Sequence, residues 1–155
     1  RLGIIEAVKA NKIDIFATDH APHTFEEKNQ KYPNIPAGIP LVQHSLQMLL
    51  EFYFDDIFSL EMIVEKSSHN VAKRFNIKDR GFLREGYFAD ITCVDLDKTY
   101  TVNKENILHK CGWSPLENRT MRSSIHATIL NGNIAYKEGQ FSESLNFGHR
   151  LEFDN

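Results

Sequence analysis

Asp19, His20 and His23 lie within five positions of one another, in the run Thr18-Asp19-His20-Ala21-Pro22-His23-Thr24. A carboxylate there can act as a hard oxygen ligand or as a general base. Imidazoles offer nitrogen ligands, or a donor to an anion. Pro22 stiffens the turn and biases Ala21 towards an extended conformation. The cluster therefore reads as a metal or proton-transfer site. It reads equally as a plain turn, with Asp19 capping local amides and the histidines facing water. Spacing alone leaves both open, since a zinc site needs about four ligands.

The elements around this cluster set where it sits. Residues 2–10 have the spacing of an amphipathic helix, with Ile4, Ile5 and Val8 on one face and Asn11-Lys12 closing it. Ile13-Asp14-Ile15-Phe16-Ala17 is short and β-prone, as a parallel strand covered on two faces should be. Residues 18–40 lack periodicity and hold four of the five prolines (Pro22, Pro33, Pro36 and Pro40), so they form a long irregular loop. The cluster thus opens a loop at the C-terminal end of a strand, where α/β folds place their chemistry.

Beyond the loop, residues 41–54 read as a helix with Val42, Leu46, Leu49, Leu50 and Tyr53 inward. A second helix starts on Ser59 as N-cap, and a third covers about 70–75, ending near Asn76. From Gly81 the pattern changes to turns and strands: 89–96, a piece at 100–102, then 125–130 and 134–137 around Asn131-Gly132, a strong hairpin signal. The expected division is an α/β part over 1–80 and an all-β part with an irregular tail over 81–155.

The 155 residues carry 18 Lys+Arg against 21 Asp+Glu, a net charge of −3, with 41% hydrophobic residues. This is a globular balance without the concentrated basic face that nucleic acid needs. No apolar run is long enough for a membrane span. Cys93 and Cys111 are too few for a disulfide framework and read as free thiols of a reducing compartment. A complete (β/α)8 barrel needs roughly 250 residues, more than the sequence has.

Four segments together resemble one known family. Ala17-Thr18-Asp19-His20-Ala21-Pro22-His23 is similar to the last barrel strand of the dihydroorotases, within the cyclic amidohydrolase superfamily. His23 favours them over hydantoinases and allantoinases, which share the Asp-His pair. Pro36-Ala37-Gly38-Ile39-Pro40 resembles the family's substrate loop. Ser68 to Phe75 resembles its NPA helix, with Val71 where Pro is usual. Gly81 to Asp95, and the Asn131-Gly132 hairpin, resemble its strands leading into a small β-sandwich. No His-x-His metal pair occurs in the sequence. The resemblance therefore implies the C-terminal third of such an enzyme: the last part of a metal-dependent (β/α)8 barrel, followed by sandwich strands.

What the resemblance implies chemically is reversible cyclisation of N-carbamoyl-L-aspartate to L-dihydroorotate, in pyrimidine biosynthesis. Zinc, two ions in the complete enzyme, would make a nucleophile from water by lowering its pKa to about 7. Asp19 would be metal ligand and proton shuttle. His23 would bind the substrate carboxylate, with Ala21, Pro36 and Gly38 offering main-chain contacts. His20 is left to a supporting or packing role. The implied partners are the small substrate, the N-terminal remainder of the same enzyme and a second subunit, in the cytoplasm, with the segment inactive alone. The rivals are a hydantoinase or allantoinase, and a non-catalytic scaffold for a transcarbamoylase.

The remaining candidates read as structural. His44 and His69 are expected to pair with local backbone or surface groups. Asp55-Asp56 reads as a helix end, and Trp113-Ser114-Pro115 as a packed loop anchor. The helix over 42–53 is expected to lack a partner for its apolar face.

Overall fold

The computed structural model describes residues 2–144 and 146–154. The chain opens with α1 (Leu2–Lys9), the one-turn α2 (Phe25–Lys28) and a 3-10 turn at Val42–His44 that leads into α3 (Ser45–Phe54). Then come α4 (Leu60–Val64) and α5 (Asn70–Arg74). The strands are β1 (Ile91–Asp95), β2 (Tyr100–Thr101), β3 (Thr120–Met121), β4 (Ser124–Leu130), β5 (Asn133–Lys137) and β6 (Gln140–Phe141).

The helices end as their sequences direct. Asn11, Asp56 and Asn76 each take positive φ just past a helix, a conformation short polar side chains tolerate. The amides of Lys12, Ile57 and Ile77 then close back on Ala7, Phe52 and Ala72 at 2.8, 2.9 and 2.9 Å. The Ser59 hydroxyl accepts from the Met62 amide at 3.2 Å, as an N-cap should. The helices expected as separate at 59 and 70 are joined. A π-helical segment, Glu65–His69, carries α4 into α5 without a break. Such a bulge shifts the register by about one residue and re-aims side chains. Here Lys66 is turned inward to 1% exposure, its Nζ donating to Asn11 Oδ1 at 2.7 Å and Ile13 O at 2.6 Å.

The strand expected at 13–17 forms no ladder among the described residues. A parallel strand needs a hydrogen-bonded neighbour, and among the described residues no other strand pairs with it. Its backbone is tied instead to the π segment and α5. Phe16 N donates to Lys66 O at 3.0 Å, and Asn70 Nδ2 donates to Asp14 O at 2.9 Å.

Four strands form an antiparallel sheet in the order β1-β4-β5-β6, and β2 pairs with β3 in a second, small sheet. Asn131 and Gly132, both at positive φ, make the expected two-residue hairpin between β4 and β5. Glu138-Gly139 makes another between β5 and β6. Residues 152–154 of the tail are tied down. Lys78 N donates to Glu152 O and Asp154 N to Asn76 O, both at 2.9 Å, so the tail lies back along the end of α5.

α3 does have partners. Its Leu50 packs with Val8, Phe58 and Ile63 in one core, while Met48 meets Val102, Leu116 and Met121 in the other. Arg122, between β3 and β4, forks onto the helix end: Nε to Glu51 Oε2 at 2.9 Å and Nη2 to Asp55 Oδ1 at 2.6 Å. Asp55 is thus a helix-end ion-pair partner. No helix is long and apolar enough to cross a membrane among the described residues.

Candidate active site

Asp19 follows the tethered segment 13–17, and its backbone is at φ +48°. Left-handed backbone is uncommon for a residue with a side chain, although Asp tolerates it. The side chain is exposed, and among the described residues its carboxylate accepts no hydrogen bond and joins no ion pair. The reading of Asp19 as a cap for local amides is therefore not what the geometry has.

The far end of the loop folds back against this point. His20 and Ile39 form a parallel bridge, and Ala21 N donates to Ile39 O at 3.2 Å. Gly38, at φ +79°, sits so close that a Cβ there would lie 2.5 Å from Ala21 Cβ and 3.1 Å from Asp19 O. That position has no room for a side chain. Asp19, Ala21 and Gly38 are thus brought together. Pro36 is held to the same edge through Lys28, whose Nζ donates to Pro36 O at 2.6 Å and to Gly38 O at 2.9 Å.

Thr24 and Glu27 form a reciprocal capping box that starts α2: Thr24 N donates to Glu27 Oε2 at 2.8 Å and Glu27 N to Thr24 Oγ1 at 3.2 Å. The Thr24 amide holds the Glu27 carboxyl below its usual range, with His23 adding to the effect. His23 Nδ1 stands 3.5 Å from Glu27 Oε2. The His23 carbonyl accepts from Trp113 Nε1 at 2.9 Å, and Trp113 meets the Phe25 ring edge-on. Trp113 is the loop anchor expected of it, and it anchors the loop that carries His23.

His20 is turned to packing: its Nδ1 accepts from Val42 N at 3.2 Å, and its ring stands edge-on to His109 at 6.1 Å. His109 Nδ1 lies 3.0 Å from Cys111 Sγ. Burial pushes the His109 imidazole below its usual pKa, helped by His20. His44, expected to bond locally, is fully buried, and neither ring nitrogen has a hydrogen-bond partner among the described residues. His69 stacks flat on Phe82 at 4.3 Å. A cavity of about 400 Å³ lies between α3 and the sheet, lined by Gln47, Tyr100, Tyr136 and Phe141 among others, and none of the Asp19 loop residues line it.

Lys28, Glu27 and Trp113 are the residues that the sequence alone leaves without a part in this site. The Thr24-x-x-Glu27 spacing was a readable signal for the box. The reach of Lys28 over ten residues and of Trp113 over 90 had no local signal.

The amidohydrolase family matches residues 1–135. The chain belongs to the amidohydrolase family. It is 42% identical over 137 residues to the dihydroorotase of Fusobacterium nucleatum, covering 88% of this chain and 32% of that relative. It is 40% identical over 126 residues to that of Endomicrobium trichonymphae, covering 81% and 30%. The chain spans about a third of the length of the curated relatives it matches. Among solved structures, an L-hydantoinase (dihydropyrimidinase) from Arthrobacter aurescens superposes with a TM-score of 0.87 at 25% identity over 97% of this chain and 34% of its own. A D-hydantoinase from Thermus sp. gives 0.85 at 21% identity over 98% and 34%. The expected class, part of an amidohydrolase barrel running into antiparallel strands, is the class the chain adopts.

Amidohydrolases as a family imply a metal cofactor. Among the described residues, no three His, Cys, Asp or Glu side chains converge to hold an ion. The unpartnered Asp19 carboxylate suits a single ligand position of a site completed by other donors.

Proposed function

We propose that this chain is the C-terminal part of a zinc-dependent dihydroorotase, and that it supplies the proton-transfer carboxylate and one wall of the substrate site. The barrel part ends near residue 80 and residues 81–155 contribute to a β-sandwich. The other metal ligands come from the N-terminal remainder of the same enzyme, a cytoplasmic protein that pairs with a second subunit. The observation that supports this reading most is the fold-back of Gly38 onto Asp19 and Ala21. It leaves a free carboxylate beside small residues and main-chain groups.

When bound at Asp19, zinc would supply water activated for attack at neutral pH. The residues of this chain do the rest. The Asp19 carboxylate accepts the proton released as the amide carbonyl is attacked, and returns it to the leaving ring nitrogen. In ring closure the same carboxylate takes the proton from the carbamoyl nitrogen as the C–N bond forms and passes it to the departing oxygen of the substrate carboxyl, which leaves as water. His23 donates to the substrate carboxylate, and its main chain is fixed by the Trp113 indole. Ala21, Pro36 and Gly38 present backbone groups to the substrate, and the missing Cβ at Gly38 lets it approach.

A hydantoinase-type activity is the second reading, supported by the superposition on an L-hydantoinase at 25% identity. The two separate by substrate. The full-length protein is expected to close N-carbamoyl-L-aspartate to dihydroorotate and to leave hydantoin untouched. Turnover of hydantoin without dihydroorotate would reverse the assignment.

A further inference from the structure

We propose that Lys28 is a positioning residue, a latch that holds the Pro36–Gly38 edge of the loop against Asp19. The capping box between Thr24 and Glu27 fixes a single helical turn, and Lys28 is its last residue. That turn aims the Lys28 side chain across the loop. Its ammonium meets the carbonyls on either side of Ala37, at 2.6 Å from Pro36 O and 2.9 Å from Gly38 O. The two carbonyls are drawn onto one cation, so the Pro36–Gly38 backbone is pinned at both ends.

Few other contacts do this. Among the described residues, the backbone ties between the start and the end of the loop are the His20–Ile39 bridge and the 3.2 Å bond from Ala21 N to Ile39 O. Gly38 offers no side chain to pack. A charged donor to two partly buried carbonyls is among the stronger bonds a surface loop can make. Lys28 has no ion-pair partner among the described residues, so its charge is spent on the loop.

The consequence for catalysis rests on the dihydroorotase reading, in which this edge contacts the substrate. Main-chain contacts made equally to substrate and transition state act on KM and leave kcat alone.

The test compares wild type with Lys28→Met in the full-length protein. The exchange rate of the Ala21 amide reports directly on the loop closure. It is expected to rise about tenfold in Lys28→Met, with the amides of α3 unchanged, and KM for dihydroorotate to rise about tenfold with kcat held. Lys28→Arg keeps the charge and is expected to recover part of both effects. An unchanged Ala21 amide, or an acceleration that extends equally through α3, would overturn the latch. A fall in kcat at constant KM would overturn it too. If the wild type fails to turn over dihydroorotate, the functional reading falls, and the Ala21 exchange still decides the latch.

Discussion

Asp19 holds a left-handed backbone that few residue types tolerate, and among the described residues no group pairs with its carboxylate. Its surroundings fix it there: segment 13–17 is tethered to Lys66, and Gly38 lies close enough that an added Cβ would stand 3.1 Å from Asp19 O. The positions proposed to carry chemistry stand in two short contiguous motifs, Asp19 to His23 and Pro36 to Gly38, so they can be proposed from the sequence alone. Lys28 and Trp113 were not, because their bonds span distances that only the folded loop creates.

His44 makes a prediction at the same scale. Burial lowers its pKa from the model-compound value of 6.5, with His109 adding to the effect. The folded chain therefore refuses a proton that the unfolded chain accepts. Stability is full above about pH 6.5 and falls as the pH drops from there towards the lower folded value. Urea midpoints of the full-length protein between about pH 7.5 and 5 are expected to show this slope, and His44→Leu is expected to flatten it. An unaltered slope would remove His44 as its source.

At the scale of elements, patterning located the helices and the Asn131-Gly132 hairpin because each rests on local residues. The apolar stripe placed α3, and Ser59 marked the start of α4. Patterning missed the π segment, within which Lys66 reaches Asn11 and Ile13 some fifty residues away. It also assigned a strand to 13–17 on composition, whereas a ladder needs a neighbour that this chain does not provide. The loop is the element with the sharpest dependence on one position. Gly38→Ala would place a methyl within 2.5 Å of Ala21 Cβ, at a φ that alanine disfavours. The expected result is a loosened loop, at a cost of about 1–3 kcal/mol, with activity reduced further than stability. Thermal unfolding and turnover measured on the same preparation check this. Wild-type activity in that variant would mean that the edge does not approach the substrate.

For the whole molecule, the sequence allowed a barrel segment followed by a β part, and the fold agrees. It left the joints unseen. α3 is expected to want a partner on apolarity alone, yet it is the shared wall of both cores and is bolted to the β3–β4 turn by Arg122. Arg80, buried among Asp90, Asn131 and Phe88, joins the end of α5 to the hairpin. These long-range polar links decide how the helical and β parts sit, and charge patterning along the chain does not reveal them.

Asp19→Asn in the full-length, metal-loaded protein keeps the size of the side chain and removes its ability to carry a proton. Steady-state interconversion of carbamoyl aspartate and dihydroorotate is predicted to drop by about a thousandfold or more, with the fold intact by circular dichroism. A variant that turns over at close to the wild-type rate would contradict the assignment of Asp19 as the proton carrier.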